Sequence, residues 1–557
     1  MTTSSKDAVT LQQLMDSASS DAVGQQLSNM IQSNDKFDSV VNTPFQALRL
    51  DSRQVNSNDV FVLLKSQNQN GPKSRGYLSQ AAKQAAFILS EIDPIALFDN
   101  GNMPYDDPIE LNDNVHSTPS ESTSQPPLSA SLLALSCPII YVPNIRDFLG
   151  ILIQTRLQYQ QPIALPTVVA VTGTNGKTTI SQLVAQLAQL ANISSAVMGT
   201  AGNGKLGALT QASHTTGDAL SVQQFLYQMG QENAELLALE ASSHGLDQQR
   251  LQGMPIKVAI YTNLSRDHLD YHADMAEYAA AKARLFNKTY FPALTHAIIN
   301  IDDEHAQIML DTAQASNLTV WTYSLETSKT ATFVAAHIKP SLQGVDIALR
   351  SEFGDIDIIS PLLGRFNVAN LLAAIATAVA LGISLERIAT LVPQLQGALG
   401  RMQRVPSDNG CFIVDYAHTP DALIQVLESL KTHCRGQLWA VFGCGGDRDA
   451  GKRPLMAQAG LIGADQVILT ADNPRTEDPN TILQDMQAGM TSEQYQRTHI
   501  EPARQKAIEY AVSHASADDI VVIAGKGHET YQEIKGIRYD FDDSVILQQA
   551  LQQAGRV

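Results

Sequence analysis

An apolar, β-branched run leads directly into a glycine-punctuated turn near residue 170 of this 557-residue chain. Val168–Val171 is typical of a buried strand, and the turn Gly173–Gly176 that follows it ends at Lys177. A strand that enters a helix through such a turn points backbone N–H groups and the helix N-terminus at phosphate groups. The pattern therefore predicts an α/β fold with an ATP site made by Gly173, Thr174, Asn175, Gly176, Lys177, Thr178 and Thr179.

The spacing inside this turn is shorter than in the common phosphate-binding loop. That loop has a glycine five positions before its Gly-Lys pair, and here that position is Val171. The sequence instead reads Gly-x-x-Gly-Lys-Thr, which places Lys177 to neutralise the outer phosphates and Thr178 to reach Mg²⁺. Chance glycines in an ordinary strand-turn-helix are the alternative interpretation, and ATP binding is our hypothesis.

Composition narrows the class of protein. A formal net charge of −18 disfavours a nucleic-acid duplex or an anionic membrane surface as the main partner, because binding to phosphates requires lysine and arginine. The four cysteines form no Cys-x-x-Cys pair, which argues against a zinc site or a disulfide framework. The N-terminus lacks the apolar core of a signal peptide, and no apolar run reaches membrane-spanning length. We therefore expect a soluble cytoplasmic protein with several domains.

Helical patterns alternate with apolar runs after the phosphate loop, which predicts a mostly parallel sheet wrapped by helices. The stretch 319–350 has a more antiparallel pattern, and a new α/β pattern starts near Gly397. A tract rich in Ser, Thr, Gln and Pro between about residues 99 and 131 predicts a surface insertion. Ligands on parallel sheets collect at the carboxyl ends of the strands.

Two strand ends downstream carry side chains suited to that position. The run Leu236–Leu239 ends in Glu240, which is placed to bind Mg²⁺ directly or through water. The next predicted strand leads into Thr262–His272, where two His and two Asp lie within six residues. Buried polar groups each need a partner, so these residues are better explained by binding of a metal ion or a phosphate than by burial in the hydrophobic core.

The sequence contains six separate motifs that are long enough to compare with those of known families. They are Gly173–Thr179, Glu240–Leu246, Thr262–His272, Asp415–Asp421, Gly443–Asp449 and Asp472–Arg475. Together they closely resemble the motifs of the Mur ligases of peptidoglycan synthesis, and the match runs from about Leu50 to Phe541, excluding only the insertion. The resemblance is greatest to the branch that adds the third residue of the stem peptide.

The resemblance implies three domains and a ligase reaction. Residues 1–144 would bind the UDP end of the substrate, 145–396 would form the central ATPase, and 397–557 would form a Rossmann-like domain. The free carboxylate of UDP-N-acetylmuramoyl-L-Ala-D-Glu would attack the γ-phosphate of ATP, and the amine of meso-2,6-diaminopimelate would attack the resulting acyl phosphate. It implies a bacterial cytoplasmic monomer that binds small molecules, with no nucleic acid and no membrane insertion.

Catalytic roles are implied for Lys177, Glu240, His268 and Lys282. Thr178 and Glu240 would hold one Mg²⁺, while His268 and Lys282 would serve a second. An ammonium group repels Mg²⁺, but in this family the lysine that matches Lys282 carries a carbamate derived from CO₂ (N6-carboxylysine), which supplies oxygen donors.

The remaining implied contacts divide among three ligands. For ATP they are Asn370, Arg401 and His418, the last two arriving when the third domain closes. For diaminopimelate they are Arg448, Asp472, Asn473, Pro474, Arg475, Gly525 and Glu529, with Arg475 clamping the distal carboxylate and Glu529 binding the ammonium. For the UDP-muramoyl-dipeptide they are Leu50, Ser52, His214, Thr215, Thr216, Ser242, Gln248 and Arg250; His214 departs from the asparagine common there.

Three alternatives stand beside this interpretation. A folylpolyglutamate-synthetase-like ligase shares the short loop and the lysine carbamate, and the Asp472–Arg475 loop and a UDP-type first domain argue against it. A regulatory P-loop NTPase is disfavoured by the short loop, the His/Asp segment and the absence of an Asn-Lys-x-Asp motif. A non-catalytic nucleotide-binding scaffold would require Lys177 and Glu240 to be dispensable.

Overall fold

The computed structural model describes residues 8–18, 22–32, 35–66, 72–99, 135, 137–212, 214–269, 271–341 and 343–557. These residues form two compact units, the first within Met1–Leu165, Gly217–Glu232 and Gln248–Met254, the second comprising the rest. Both are α/β, which confirms the predicted fold class. The boundaries after residues 144 and 396 stay a prediction, and residues 100–131 of the predicted insertion lie outside the described residues.

The first unit is built on a four-stranded parallel sheet in the order β1-β2-β3-β4. Every residue of β2 and β3 is buried, as expected for parallel strands covered on both faces. The elements of this region are α1 Leu11–Ala18, α2 Ala22–Gln32, β1 Leu48–Arg49, β2 Val60–Leu63, α3 Pro72–Ala81, β3 Phe87–Ser90, α4 Pro94–Asp99, β4 Ile139–Tyr141 and α5 Arg146–Gln160.

The second unit contains a larger sheet in the order β14-β13-β12-β11-β10-β9-β5-β8-β6-β7. β5 lies in its interior between β9 and β8, so the loop that follows β5 emerges in the middle of the sheet's carboxyl edge. The elements from residue 167 to 391 are β5 Thr167–Thr172, α6 Lys177–Leu190, β6 Ser195–Gly199, β7 Gly202–Lys205, α7 Ala219–Gln231 (in the first unit), β8 Leu236–Glu240, α8 Ser243–Asp247, β9 Ile256–Tyr261, α9 Met275–Ala283, β10 His296–Asn300, α10 Ala306–Ala315, β11 Thr319–Ser324, β12 Phe333–Ser341, β13 Gly344–Ser351, β14 Gly354–Ser360, α11 Arg365–Ala380 and α12 Leu385–Leu391.

The antiparallel pattern predicted for residues 319–350 holds for only part of that stretch. β11 pairs in parallel with both β10 and β12, and antiparallel pairing begins between β12 and β13. For the β10–β11 pair the physical reason is the connection, because α10 carries the chain back across the sheet before β11 and such a crossover returns a parallel strand.

A third sheet lies in the C-terminal part of the second unit, in the order β15-β16-β20-β17-β18-β19, and only the β15–β16 pair is antiparallel. Every residue of β16, β17 and β20 is buried. The elements are β15 Gln403–Val405, β16 Cys411–Asp415, α13 Pro420–Lys431, β17 Leu438–Phe442, α14 Lys452–Gly463, β18 Gln466–Leu469, α15 Pro479–Gln487, α16 Ser492–Gln496, β19 Thr498–Ile500, α17 Arg504–His514, β20 Ile520–Ala524, β21 Tyr531–Ile534, β22 Ile537–Asp540 and α18 Asp543–Gln553.

Short 3₁₀ helices also occur at Asp35–Ser39, Ser52–Gln54, Arg284–Phe286 and Val392–Gln394. Within the described ranges, every helix is too short or too polar to cross a lipid bilayer.

Two glutamines of α6 hold the segment that connects the larger sheet to the C-terminal sheet. The side chain of Gln186 donates to Gly397 O at 2.6 Å and accepts from Gln396 N at 2.9 Å. The side-chain oxygen of Gln182 accepts from Leu399 N at 3.2 Å. The helix that starts at the phosphate loop therefore also fixes the start of the C-terminal region.

A buried histidine joins the same two regions at another point. His433 follows α13, and its Nε2 accepts from Gly364 N at 3.0 Å, where α11 begins. That bond makes Nδ1 the protonated nitrogen, and Nδ1 lies 2.7 Å from Ser341 O at the end of β12. Burial lowers the pKa of His433, because a second proton would remove the Nε2 acceptor in a water-poor site.

We predict that this histidine makes the second unit less stable in mild acid. The pKa of His433 is lower when folded than when unfolded, so the unfolded chain binds more protons as the pH falls below about 6.5. The contribution of His433 to the free energy of unfolding is fully present above that pH. It is lost as the pH falls from there towards the lowered pKa of the folded state, at up to about 1.4 kcal/mol per pH unit. Urea unfolding followed by Trp321 and Trp439 fluorescence at pH 5 to 8 measures this slope.

The His433→Gln variant cannot titrate at this position and should show a flatter pH dependence than wild type. The His514→Gln variant, which removes an exposed histidine, controls for the loss of an imidazole. An equal slope in wild type and His433→Gln would contradict the prediction.

Candidate active site

The loop after β5 has a backbone shape that requires glycine at two positions. Gly173 has φ +146° and Gly176 has φ +88°. A Cβ on Gly173 would lie 1.9 Å from Thr262 Oγ1, and one on Gly176 would lie 2.6 Å from Asn370 Oδ1. Thr262 Oγ1 donates to Asn175 O at 2.6 Å, so the end of the neighbouring strand β9 fixes the loop. The loop is therefore a rigid cradle that leads into the N-terminus of α6.

Two lysine side chains converge on one carbonyl oxygen of this loop. Lys177 Nζ donates to Gly173 O at 2.9 Å and to Thr174 O at 2.8 Å, while Lys282 Nζ from α9 donates to Gly173 O at 2.9 Å. Burial lowers the pKa of Lys177. Burial, and then the charge of Lys177, hold the pKa of Lys282 well below its usual range. A protonated Lys177 at this loop would suit an anionic ligand.

Glu240, the last residue of β8, is buried beside the start of α6. Its Oε1 accepts from Thr178 Oγ1 at 2.9 Å and from Thr200 N at 2.8 Å. Thr200 Oγ1 donates to Oε2 at 3.2 Å and lies 3.0 Å from Thr215 Oγ1. Thr216 Oγ1 donates to Glu240 O at 2.8 Å. The structure thus brings together Thr178, Glu240, Thr215 and Thr216, which were predicted to serve different ligands.

An aromatic cluster surrounds the predicted residue His268, whose φ is +54°. The ring of His268 lies 4.9 Å from that of His244 and 5.9 Å from that of Tyr278. Lys282 Nζ lies 4.4 Å from the centre of the same Tyr278 ring, so His268 and Lys282 contact a common residue. Asp270 of this motif lies outside the described residues. The described side chains contain no cluster of three or more His, Cys, Asp or Glu arranged to hold a metal ion.

A cavity of about 480 Å³ in the second unit opens between the phosphate loop and the start of the C-terminal region. Asn370 and Arg401, which were predicted as nucleotide contacts, line this cavity, and their roles in binding stay predictions. Arg401 stacks on Tyr416 with its guanidinium carbon 4.4 Å from the ring centre, and its buried Nε has no partner among the described residues. His418 is exposed and does not line the cavity; its Nδ1 lies 2.9 Å from Tyr416 O.

Three loops at the carboxyl edge of the C-terminal sheet meet around Arg475 and Glu529. Arg475 Nη1 donates to Gly446 O at 2.6 Å, and Asn473 Nδ2 donates to Glu529 Oε2 at 2.9 Å. Arg475 has φ +50° and is held by strand β21, because its N–H donates to Glu533 O at 2.9 Å.

The other predicted residues of these loops have different degrees of exposure. A Cβ on Gly525 would lie 2.5 Å from Asp472 Oδ2, which places these two residues side by side. Pro474 is buried, whereas Arg448 is exposed. The loops predicted to gather at this edge are thus in contact, and their roles in binding stay predictions.

The predicted contacts for the UDP-muramoyl-dipeptide are divided between the two units. In the first unit, Leu50 is half-buried, Ser52 Oγ donates to Gln80 Oε1 at 2.9 Å, and Arg250 donates to Gln248 Oε1 at 2.7 Å.

In the second unit, Thr216 Oγ1 accepts from Ser242 N at 3.0 Å. His214 is exposed. The structure therefore places Thr215, Thr216 and Ser242 beside Glu240, and the binding roles of all eight residues stay predictions.

Comparison with known proteins gives consistent results. The Mur ligase middle domain matches residues 171–378, and the Mur ligase glutamate ligase domain matches residues 400–527. A curated protein of Vibrio vulnificus, UDP-N-acetylmuramoyl-L-alanyl-D-glutamate–2,6-diaminopimelate ligase, is 40% identical over 508 residues, covering 91% of this chain and 94% of its own. The chain belongs to the Mur ligase family. A solved structure with that same enzyme name is 44% identical to this Mur ligase, with a TM-score of 0.69, and covers 93% of this chain and 97% of its own.

The main alternative is not favoured by these comparisons. A folylpolyglutamate synthase of Mycobacterium tuberculosis, solved with ADP and AMPPCP, is 16% identical with a TM-score of 0.53 and covers 74% of this chain and 95% of its own. Identity that low shows a shared fold alone. The folate ligases and this Mur ligase therefore have the architecture in common, and the substrates have to be argued from the site.

Some residues that shape the site of this Mur ligase were not among the predicted ones. Thr200 makes two contacts with Glu240, and it follows β6, a strand that was not among the predicted ones. Tyr278 contacts both His268 and Lys282. Lys526, inside the loop predicted to bind the amino acid, is fully buried. A rule that examines every residue following a parallel strand would have found Thr200.

We predict that Gly173→Ala weakens ATP binding on the order of 100-fold, about 2.7 kcal/mol. The new methyl group would collide with Thr262 Oγ1, and φ +146° is unfavourable for alanine, so the loop must leave its binding shape. Isothermal titration calorimetry with a Mg²⁺ complex of a non-hydrolysable ATP analogue measures the loss. Gly76→Ala, at a helical glycine with open space around it, is the matched control and should bind normally. Wild-type affinity in Gly173→Ala would contradict this assignment of the loop.

Proposed function

We propose that this Mur ligase joins meso-2,6-diaminopimelate to the D-glutamyl residue of UDP-N-acetylmuramoyl-L-Ala-D-Glu at the expense of ATP. The observation that carries the proposal is the pair of lysines, half-buried Lys177 and buried Lys282, on the carbonyl of Gly173. The charge of Lys177, together with that of metal ions held by Glu240 and a carbamylated Lys282, would bring two anions together, the γ-phosphate and a carboxylate, which otherwise repel each other. The names of the relatives at 40–44% identity support the choice of substrates.

The reaction has two steps. A carboxylate oxygen of D-Glu forms a bond to the γ-phosphorus, the bond from phosphorus to the bridging oxygen breaks, and ADP leaves. The amine nitrogen of diaminopimelate then attacks the acyl carbon, phosphate departs with its oxygen, and the nitrogen loses a proton. Lys177 neutralises charge on the phosphates, and the backbone N–H groups at the start of α6 orient them. Catalysis is therefore mainly positioning and charge neutralisation.

The oxygen atoms at the N-terminus of α6 suit Mg²⁺ as ligands. Thr178 Oγ1 and the carboxylate of Glu240 are oxygen donors 2.9 Å apart, and hard divalent cations bound with phosphates prefer a few such protein ligands. Bound there, Mg²⁺ would supply positive charge to the phosphate oxygens. A second ion would be served by His268 and a modified Lys282. Thr200 holds Glu240 in place for this role.

Carbamylation of Lys282 is consistent with its surroundings. Only a neutral amine attacks CO₂; the new N–C bond forms, the nitrogen loses a proton, and the side chain becomes an anion. Lys282 is 1% exposed, and its lowered pKa favours the neutral form. The carbamate anion would also attract the ammonium group of Lys177, which shares the carbonyl of Gly173 with Lys282.

The acceptor amino acid would bind at the loops around Arg475. A guanidinium group pairs two carboxylate oxygens at once, and the second carboxylate of diaminopimelate is absent from lysine. We also propose the three-domain division given above, closure that brings Arg401 and His418 to ATP, and a monomer in the cytoplasm. Closure would exclude water from the acyl phosphate.

We predict that Lys282→Ala loses most turnover and regains part of it when short carboxylic acids such as acetate are added, because their oxygens replace those of the carbamate. The measurement is ATP-dependent phosphate release with UDP-N-acetylmuramoyl-L-Ala-D-Glu and diaminopimelate. Lys257→Ala removes an exposed lysine from β9 and should behave as wild type with and without acetate. Full activity of Lys282→Ala without additives would rule out the carbamate.

The same assay tests the acceptor. Wild type should release phosphate with meso-diaminopimelate and far less with lysine. Phosphate release that does not depend on the UDP-muramoyl-dipeptide would favour the regulatory NTPase instead.

We predict that Arg475→Ala reduces the preference for diaminopimelate over lysine by about tenfold to a hundredfold, because a charge-assisted contact contributes roughly 1.5–3 kcal/mol. Arg435→Ala, at an exposed arginine, is the control. An unchanged preference in Arg475→Ala would disprove the clamp.

A further inference from the structure

Lys526 lies in the loop after β20 and is completely buried against the loop of Asn473, at the proposed amino-acid site. Its side chain has 0% exposure, and its Nζ lies 3.1 Å from Asn473 Oδ1 and 3.1 Å from Glu529 Oε2. A lysine that is removed entirely from water is rare unless its charge is paired. The flanking residues Gly525 and Gly527 have φ +116° and +54°, a backbone shape that lets the loop turn this side chain inward.

The contact with Lys526 determines how the amide of Asn473 is oriented. Asn473 Oδ1 accepts from Lys526 Nζ and from Glu533 N, the latter at 3.0 Å, so two donors face the same atom. The amide nitrogen could not occupy that position, because it would face donors with a donor. The opposite end, Nδ2, consequently points at Glu529 and donates to Oε2 at 2.9 Å.

Glu529 is held from one side only. Its Oε2 accepts from both Lys526 and Asn473, and its side chain is 22% exposed. Within the part of the chain that the structure describes, Oε1 accepts no hydrogen bond. The buried lysine therefore anchors one carboxylate oxygen and leaves the other as an acceptor at a partly open surface.

We propose that Lys526 is a positioning residue for the acceptor amino acid, which holds Asn473 and Glu529 in the orientation that binds the amino acid's ammonium group. The proposal rests on the proposed function, since it concerns the same amino-acid site. Lys526 acts through its two partners and makes no contact with the substrate. Its buried charge offsets that of Glu529, whose Oε2 lies 3.1 Å from Lys526 Nζ.

The test separates the acceptor step from the ATP step. Lys526→Met keeps the length of the side chain and removes its charge and donors, and we expect the KM for diaminopimelate to rise at least tenfold. The KM values for ATP and the UDP-muramoyl-dipeptide should stay within twofold of wild type. Hydroxylamine, which attacks the acyl phosphate to give a hydroxamate and needs neither Asn473 nor Glu529, should react at the wild-type rate. Lys506→Met, at an exposed lysine of α17, is the matched control.

A double-mutant cycle guards against an effect on folding alone. If Lys526 acts through Glu529, then Lys526→Met and Glu529→Gln should together raise the KM for diaminopimelate no more than the larger single effect. The double variant also removes the unpaired carboxylate, so it keeps the test available if Lys526→Met does not fold.

Equal losses in hydroxamate formation and diaminopimelate ligation, or fully additive effects on KM, would overturn the proposal for Lys526. Failure of wild type to form hydroxamate or to ligate diaminopimelate would instead overturn the proposed function, so the two failures are distinguishable.

Discussion

The carbonyl oxygen of Gly173 accepts hydrogen bonds from two lysines, half-buried Lys177 and buried Lys282, and much of the site depends on that arrangement. Burial, and then the charge of Lys177, lower the pKa of Lys282, because two ammonium groups on one oxygen repel each other. The repulsion is relieved when an anion binds beside them or when one amine becomes anionic. Both outcomes belong to the proposed chemistry.

The parallel sheets determine where the candidate site residues lie. In the larger sheet β5 lies between β8 and β9, so their carboxyl ends bring the phosphate loop, Glu240 and Thr262 together. In the C-terminal sheet the same rule brings the loops of Asn473 and Glu529 into contact. The glutamines of α6 join the phosphate-loop helix to the connection between the sheets, which links it to the region that carries the loops of Asn473 and Glu529.

Sequence reasoning worked where a motif was local and failed where a contact came from a distant strand. The β5 strand, the glycine turn and the α6 helix follow one another in the chain, and the structure has them where they were expected. Thr200 was missed because its partner Glu240 lies 40 residues away, and β11 was misjudged because its direction depends on a crossover helix. His418 lies in the expected loop, yet its side chain is exposed and outside the cavity.

The sequence by itself determined the α/β class, the phosphate loop, the family and the identity of the candidate residues, because these depend on apolar periodicity, on glycine positions and on short motifs. The tertiary structure alone decided which of those residues touch. It placed Lys282 on the carbonyl of Gly173, 109 positions away, and buried Lys526 between two loops. Hydrogen bonds across such separations depend on strand order and helix packing, which no local pattern of residues specifies.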